Sequence, residues 1–214
     1  MSDNIHLHLP TYASGPAPEA VGRAVILIHG RTQSPADMFA VAKRIDLPEA
    51  PYIAVEAAGN SWYPDKFMAP LANNQPHLDF ALQRLEWLVV ELEGLGVPRS
   101  RIVLVGFSQG ACLACEYLYR YPQRWGGLIA FTGGLIGPEG LAWESHPKLD
   151  STPILLTNGD NDPWVPLART QETLATFQAM GAKAELHVYP GREHQVSDAE
   201  VDLGRALLQR IFTN

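Results

Sequence analysis

Short apolar runs alternate along the chain with longer segments in which apolar residues recur every three or four positions. The short runs are rich in Val, Ile and Leu, and several are almost continuous, which is typical of strands buried on both faces of a parallel sheet. The longer segments have the periodicity of helices with one buried face. This alternation predicts an α/β fold with a mostly parallel sheet flanked by helices.

The pattern also gives approximate bounds for the elements. The predicted strands are 24–28, 52–56, 102–105, 127–131, 154–157 and 184–189, with 5–9 as an extra edge strand. The predicted helices are 35–44, 75–95, 109–120, 167–180 and 197–211. Ser34 before Pro35 is typical of a helix start, and Gly181 is typical of a helix end.

Two segments, 58–74 and 133–152, are too long and irregular for simple connections, so each is a candidate wall of a binding pocket. The first contains several large apolar side chains with no regular element to pack from. Together with an aromatic residue of a later loop they form a predicted substrate-binding set: Trp62, Tyr63, Phe67, Met68 and Trp164. Ordinary core packing is the alternative for each of them.

Length and composition narrow the class of protein. A chain of 214 residues with 46% hydrophobic and 18% charged residues predicts one folded domain, 1–214, and excludes disordered and low-complexity classes. The net charge is −7 and no window concentrates Lys and Arg, so nucleic acid is not an expected partner. The N-terminal residues lack the pattern of a secretory signal, and no stretch approaches the roughly 18 apolar residues of a membrane span. We therefore expect a soluble cytoplasmic protein with no membrane span.

The motif that carries most information is Gly106-Phe107-Ser108-Gln109-Gly110, which joins a predicted buried strand to a predicted helix. G-x-S-x-G in this context is typical of a tight turn that holds a nucleophilic serine at the start of a helix, with glycines where a Cβ would clash. An ordinary strand-to-helix turn is the alternative. Because a serine hydroxyl is a weak nucleophile, we expect an acid and a histidine later in the chain.

The expected acid follows the strand 154–157, in the segment NGDNDPWVP. This segment contains two candidates, Asp160 and Asp162. Asp162 is the better candidate because it precedes Pro163, where the chain approaches a helix, whereas Asp160 follows Gly159 and resembles a turn residue. A solvated loop aspartate is the alternative for both.

The expected base is His194, which lies after the last predicted strand and before the last helix. Position decides among the seven histidines. His6 and His8 share one face of the predicted edge strand as a surface pair, and His187 lies within the last strand. His29 precedes Ser108 and belongs to a different loop, and His77 and His146 lie in polar or proline-flanked segments with no acid and nucleophile at matching places.

An oxyanion usually needs two backbone N–H donors, one after the nucleophile and one from the loop after an earlier strand. Gln109 is the first candidate, and Arg31 in the loop after the strand 24–28 is the second. The Arg31 guanidinium has two further alternatives, binding an anionic substrate group or facing water. His29 is expected to fix this loop by hydrogen bonds.

Cys112 and Cys115 form a CxxC pair within an apolar helical segment. The spacing places both on one helix face, and no second CxxC completes a metal site. We interpret the pair as core packing and expect no metal.

In this order and spacing, the strings LIHG, GFSQG, GDNDPWVP and GREH resemble the α/β-hydrolase fold, and specifically the phospholipase/carboxylesterase family that includes acyl-protein thioesterases. The resemblance spans nearly the whole chain. It implies a cofactor-free serine hydrolase without a large cap domain, with Ser108, Asp162 and His194 as the triad and Arg31 and Gln109 as oxyanion donors. The chain departs from many relatives at Arg31-Thr32, where they have a small or apolar residue followed by glycine.

The expected function is hydrolysis of carboxylic esters or thioesters through an acyl-serine intermediate. Small-molecule ester or thioester substrates are the expected partners, and a homodimer is one of the oligomeric states that the sequence leaves open. One alternative is a lactone hydrolase similar to dienelactone hydrolase, although those enzymes typically carry cysteine at the position of Ser108. The other is a non-catalytic hydrolase-like binding protein, which would be expected to have lost a member of the triad.

Overall fold

The structure is a computed structural model that describes residues 4–144 and 148–213, so His146 lies outside the described residues. Within them, the chain forms one mostly parallel sheet with helices on both faces, as the apolar pattern predicts. The strands are β1 (Thr11–Ser14), β2 (Ala24–Ile28), β3 (Tyr52–Val55), β4 (Ile102–Phe107), β5 (Gly127–Phe131), β6 (Pro153–Gly159) and β7 (Lys183–Tyr189).

The helices are α1 (Pro18–Val21), α2 (Pro35–Ile45), α3 (His77–Gly94), α4 (Gln109–Arg120), α5 (Leu167–Ala179) and α6 (Asp198–Thr213). Short 3-10 turns lie at Ala58–Asn60, Leu71–Asn74 and Arg99–Arg101. α3 begins two residues later than predicted because Pro76 stands at its N-cap position. None of the helices in the described part of the chain combines the length and apolar character needed to cross a membrane.

The strand order in the sheet is β1-β3-β2-β4-β5-β6-β7, with β1 antiparallel to β3 and the other pairs parallel. The chain leaves β2 toward one edge and returns to form β4 on its other side. The carboxyl ends of β2 and β4 therefore meet at the point where the strand order reverses, which is where open α/β sheets form their sites.

The side chains of each central strand divide between two cores, one on each face of the sheet. In β2, Ile26 packs with the core beneath α3, α4 and α5, whereas Leu27 packs with the core beneath α2 and α6. Burial on both faces explains why these strands are almost continuously apolar. Because both faces of the sheet are covered, polar side chains that act on a ligand can lie only at the ends of the strands.

The N-terminal segment corrects one prediction. The predicted edge strand 5–9 is wrong, because these residues form hydrogen-bonded turns and the edge strand is Thr11–Ser14. His6 and His8 are therefore not a surface pair on a strand: His6 is fully buried, and His8 is exposed. The His6 ring is satisfied by backbone groups, since its Nδ1 accepts from Ala58 N (3.0 Å) and its Nε2 lies 3.1 Å from the Trp62 oxygen.

Candidate active site

Ser108 lies at the junction of β4 and α4 in a strained conformation, with φ 53° and ψ −119°. This is a left-handed φ that few residues other than glycine adopt. The neighbouring glycines allow the turn. A Cβ on Gly106 would lie 2.5 Å from the oxygen of Gly110, and a Cβ on Gly110 would overlap the oxygen of Ile28. The spacing of the motif therefore follows from the close approach of β2, β4 and α4.

Three side chains predicted from the sequence come together at this turn. Nε2 of His194 lies 2.8 Å from Oγ of Ser108, and Nδ1 of His194 lies 2.7 Å from Oδ2 of Asp162. The carboxylate accepts a hydrogen bond from the Nδ1–H group, so the unprotonated Nε2 can accept a hydrogen bond from the serine hydroxyl. The arrangement is a continuous hydrogen-bonded chain from a hydroxyl through an imidazole to a carboxylate.

Burial and the surrounding loop hold this chain in place. The Asp162 side chain is fully buried, and its other oxygen, Oδ1, accepts from the backbone N–H groups of Trp164 and Val165, both at 2.9 Å. The His194 ring is 19% exposed and packs against the Phe107 ring with centroids 5.1 Å apart. The carboxylate is thus fixed away from water, while the imidazole edge stays accessible.

Asp160 has a different place in the structure. Its Oδ1 accepts from the N–H of Gly191 at 2.8 Å, which ties the loop after β6 to the loop after β7. Its carboxylate has no hydrogen bond to His194 among the described residues. This geometry is that of a turn residue and leaves the position beside the imidazole to Asp162.

The loop after β2 carries the second predicted oxyanion donor. His29 fixes this loop, because its Nδ1 lies 2.8 Å from the oxygen of Gly30 and its Nε2 accepts from Ala57 N at 3.1 Å. Burial lowers the pKa of His29, so the ring stays neutral in this role. Arg31 follows in this loop, and Gln109 is the first residue of α4, where an N–H has no acceptor within the helix.

The side chains of these two residues hold one neighbouring segment, 61–65. The Arg31 guanidinium donates to the carbonyl oxygens of Tyr63 (2.9 Å), Pro64 (2.9 Å) and Asp65 (2.7 Å). The Gln109 side-chain amide donates from its nitrogen to the same Tyr63 oxygen at 2.9 Å, and its oxygen accepts from the N–H of Trp62 at 3.0 Å. The Arg31 guanidinium is therefore bound to backbone carbonyl groups of the protein, which is neither of the two alternatives that the sequence offered, an anionic substrate group or water.

The five residues of the predicted substrate-binding set do not lie together on one surface: some are in the core and others are exposed. Trp62, Tyr63 and Phe67 are buried in the core, and Trp62 also donates from Nε1 to the oxygen of His29 at 2.9 Å. Because these three side chains expose almost no surface, the structure does not place them on a wall open to a ligand. Met68 packs against that core partly exposed, and Trp164 is 65% exposed. Substrate contact stays a prediction for these last two residues.

Cys112 and Cys115 are free thiols buried in α4, which confirms the core interpretation. Burial raises the pKa of Cys112 to about 12, so this thiol is not poised to ionise. Among the residues that the structure describes, no group of three or more His, Cys, Asp or Glu side chains could hold a metal ion.

A sequence model of the Phospholipase/Carboxylesterase family matches residues 16–209. A crystal structure of a phospholipase/carboxylesterase from Dyadobacter fermentans DSM 18053 is 41% identical, with a TM-score of 0.88, and the match covers 94% of this chain and 96% of that one.

Two curated relatives are more distant. Acyl-protein thioesterase 1 homolog 1 of Dictyostelium discoideum is 28% identical over 196 residues, which cover 84% of this chain and 86% of that protein. A probable carboxylesterase of Oryza sativa subsp. japonica is 28% identical over 145 residues, which cover 66% of this chain and 54% of that protein.

Proposed function

The chain belongs to the phospholipase/carboxylesterase family, and from this premise we propose that it is a serine hydrolase that cleaves carboxylic esters or thioesters through an acyl-serine intermediate. The observation that carries the proposal is the hydrogen-bonded chain from Ser108 through His194 to Asp162. The names of the relatives support the substrate class, since one is a thioesterase and another a probable carboxylesterase.

In the acylation half, Oγ of Ser108 attacks the carbonyl carbon of the substrate while Nε2 of His194 takes the hydroxyl proton. Asp162 orients the imidazole and stabilises the imidazolium that forms. When the tetrahedral intermediate collapses, the bond from carbon to the leaving oxygen or sulfur breaks, and His194 returns the proton to the leaving group. The product of this half is an ester of Ser108.

In the deacylation half, His194 takes a proton from water, and the resulting oxygen attacks the acyl-serine. Collapse of the second tetrahedral intermediate releases the carboxylic acid and returns the proton to Ser108. We assign the backbone N–H groups of Arg31 and Gln109 to the negative oxygen of both intermediates. Their preorganisation rests on the side chains that hold segment 61–65, because donors fixed in advance lower the barrier most.

Purified protein incubated with p-nitrophenyl esters of increasing chain length, an acyl-CoA and a lactone tests the proposal. We expect hydrolysis of short esters or of the thioester, with kcat lowered about 10⁴-fold or more in Ser108→Ala. Preference for the lactone would favour the dienelactone-hydrolase alternative. Absence of turnover on every compound, or activity that Ser108→Ala retains, would overturn the proposal.

A further inference from the structure

His194 lies at the centre of a very tight turn of the loop after β7. The N–H of Gln195 donates to the oxygen of Glu193 at 2.8 Å, which closes a three-residue turn around the histidine. Nη1 of Arg192 donates to the oxygens of the same two residues, Glu193 at 2.7 Å and Gln195 at 2.6 Å. One guanidinium nitrogen thus bridges the two carbonyl groups that flank the histidine.

The guanidinium of Arg192 is itself fixed from the sheet and from α6. Nη2 donates to the hydroxyl of Thr132, at the end of β5, at 2.5 Å. Nε lies 3.4 Å from Oε2 of Glu200, a contact that pairs the charges without the geometry of a hydrogen bond. The two side chains are 5% and 0% exposed, so this ion pair lies inside the protein.

Glu200 connects the pair to two further elements. Its Oε1 accepts from the hydroxyl of Thr157 in β6 at 2.6 Å, and its Oε2 accepts from the N–H (2.8 Å) and hydroxyl (2.7 Å) of Ser197 before α6. Ser197 and Glu200 have the spacing of a capping box. The carboxylate is therefore held by a strand and a helix start at once, and it gives Arg192 a rigid anchor.

We propose that Arg192 is a positioning residue that sets the place of the His194 imidazole through the backbone of its turn. The inference rests on the proposed function, in which Nε2 of His194 must stay within hydrogen-bond reach of Ser108. Misplacing a catalytic group by about 1 Å costs on the order of 10²-fold in rate. A buried guanidinium on both flanking carbonyls restricts that movement without contacting the substrate.

The test compares Arg192→Met and Arg192→Lys with a matched control, Arg205→Met. Arg205 also donates to two backbone carbonyls, those of Ile45 (2.6 Å) and Arg44 (2.7 Å), but it ties α6 to the end of α2 instead of holding the histidine turn. For each variant, kcat and KM are measured on p-nitrophenyl acetate below the unfolding temperature of that variant. The proton on Nδ1 of His194, which short hydrogen bonds shift downfield, is followed by NMR and assigned by its loss in His194→Ala.

We expect Arg192→Met to lower kcat about 10- to 100-fold with KM within about threefold of the wild type, and to shift or broaden the downfield resonance. Arg192→Lys should recover part of both effects, because an ammonium group can still donate to the carbonyls. Arg205→Met should change neither. Wild-type kcat and an unmoved resonance in Arg192→Met would overturn the inference.

Failure of the proposed function gives a different result. A wild-type protein that hydrolyses no ester contradicts the proposed function, whereas the resonance of the His194 proton reports on the turn without any turnover. A resonance that shifts in Arg192→Met and not in Arg205→Met supports the positioning role in that case as well, and an unmoved one overturns it.

Discussion

Burial of the His6 ring makes the free energy of unfolding decrease as the pH falls below neutrality. Burial, with smaller contributions from the nearby groups of His77, Arg84 and His29, lowers the pKa of His6 from 6.5 to about 4. The hydrogen bond to the Trp62 oxygen acts in the opposite direction and does not compensate. A proton on Nδ1 would also remove the acceptor for Ala58 N. The folded protein therefore requires the neutral ring.

The sign and size of the effect follow from linkage. Between pH 6.5 and about 4, the unfolded chain binds a proton at His6 that the folded protein does not, so the free energy of unfolding decreases as the pH falls. The two pKa values give a contribution that is close to zero above neutrality and a loss of about 2 kcal/mol at pH 5 and about 3 kcal/mol at pH 4. As the pH falls further below the folded-state pKa of about 4, the loss levels off at a constant value.

Urea unfolding of the wild type and of His6→Gln, each measured between pH 8 and pH 4, isolates this contribution. The variant cannot titrate at this position and can keep one hydrogen bond, so it should be the less stable protein at pH 8, and the difference should shrink by about 2 kcal/mol by pH 5. His8→Gln is the matched control, since it removes an exposed histidine from the same segment and should change stability by less than about 0.5 kcal/mol. A difference between the wild type and His6→Gln that is the same at pH 8 and pH 5 would refute the reasoning.

Three further predictions follow from the site. Asp162→Asn should lower kcat by about 10⁴-fold while Asp160→Asn retains most activity, because Asp162 hydrogen-bonds the imidazole and Asp160 instead accepts from Gly191; steady-state kinetics on one ester decides, and equal losses would contradict the assignment. Gly110→Ala should reduce the free energy of unfolding by about 3 kcal/mol because its Cβ would overlap the Ile28 oxygen, and a wild-type urea midpoint would contradict the turn geometry. Trp62→Ala should lower the free energy of unfolding by about 3 to 5 kcal/mol because it removes a core side chain, whereas Trp164→Ala should leave the melting temperature unchanged and shift relative kcat/KM across an ester panel. The reverse pattern would indicate that Trp62 contacts the substrate.

The sequence predicts the features that depend on local pattern. The strand before Ser108, the turn itself and the helix after it are contiguous in the chain, and two glycines at fixed spacing reveal the close approach of the backbone. His194 and Asp162 are found by their order after successive strands, because parallel strands bring their carboxyl ends to one edge of the sheet.

The features that escape prediction depend on contacts between distant segments. Arg31 contacts residues 63–65, and Arg192 contacts Thr132 and Glu200. Both sets of contacts join segments that are distant in the sequence and share no periodicity. An arginine in a polar loop has the same sequence signal whether it faces water or a buried carbonyl. In the sequence, only the position of Arg192 two residues before His194, within GREH, could have drawn attention to it.

The N-terminal error has a similar cause. Alternation of Ile5, Leu7 and Leu9 with polar residues has the period of a strand, but so short a run does not distinguish a strand from consecutive turns. The structure uses the polar positions of this run differently, burying His6 against Trp62 and leaving His8 in water.

The most direct test of the account is the site of covalent reaction with a fluorophosphonate, which reacts with activated serines. After labelling of the native protein and proteolysis, tandem mass spectrometry should locate one adduct on Ser108, and labelling should disappear in Ser108→Ala and slow strongly in His194→Ala. An adduct on another residue, or equal labelling of the wild type and Ser108→Ala, would contradict the claim that Ser108 is the nucleophile.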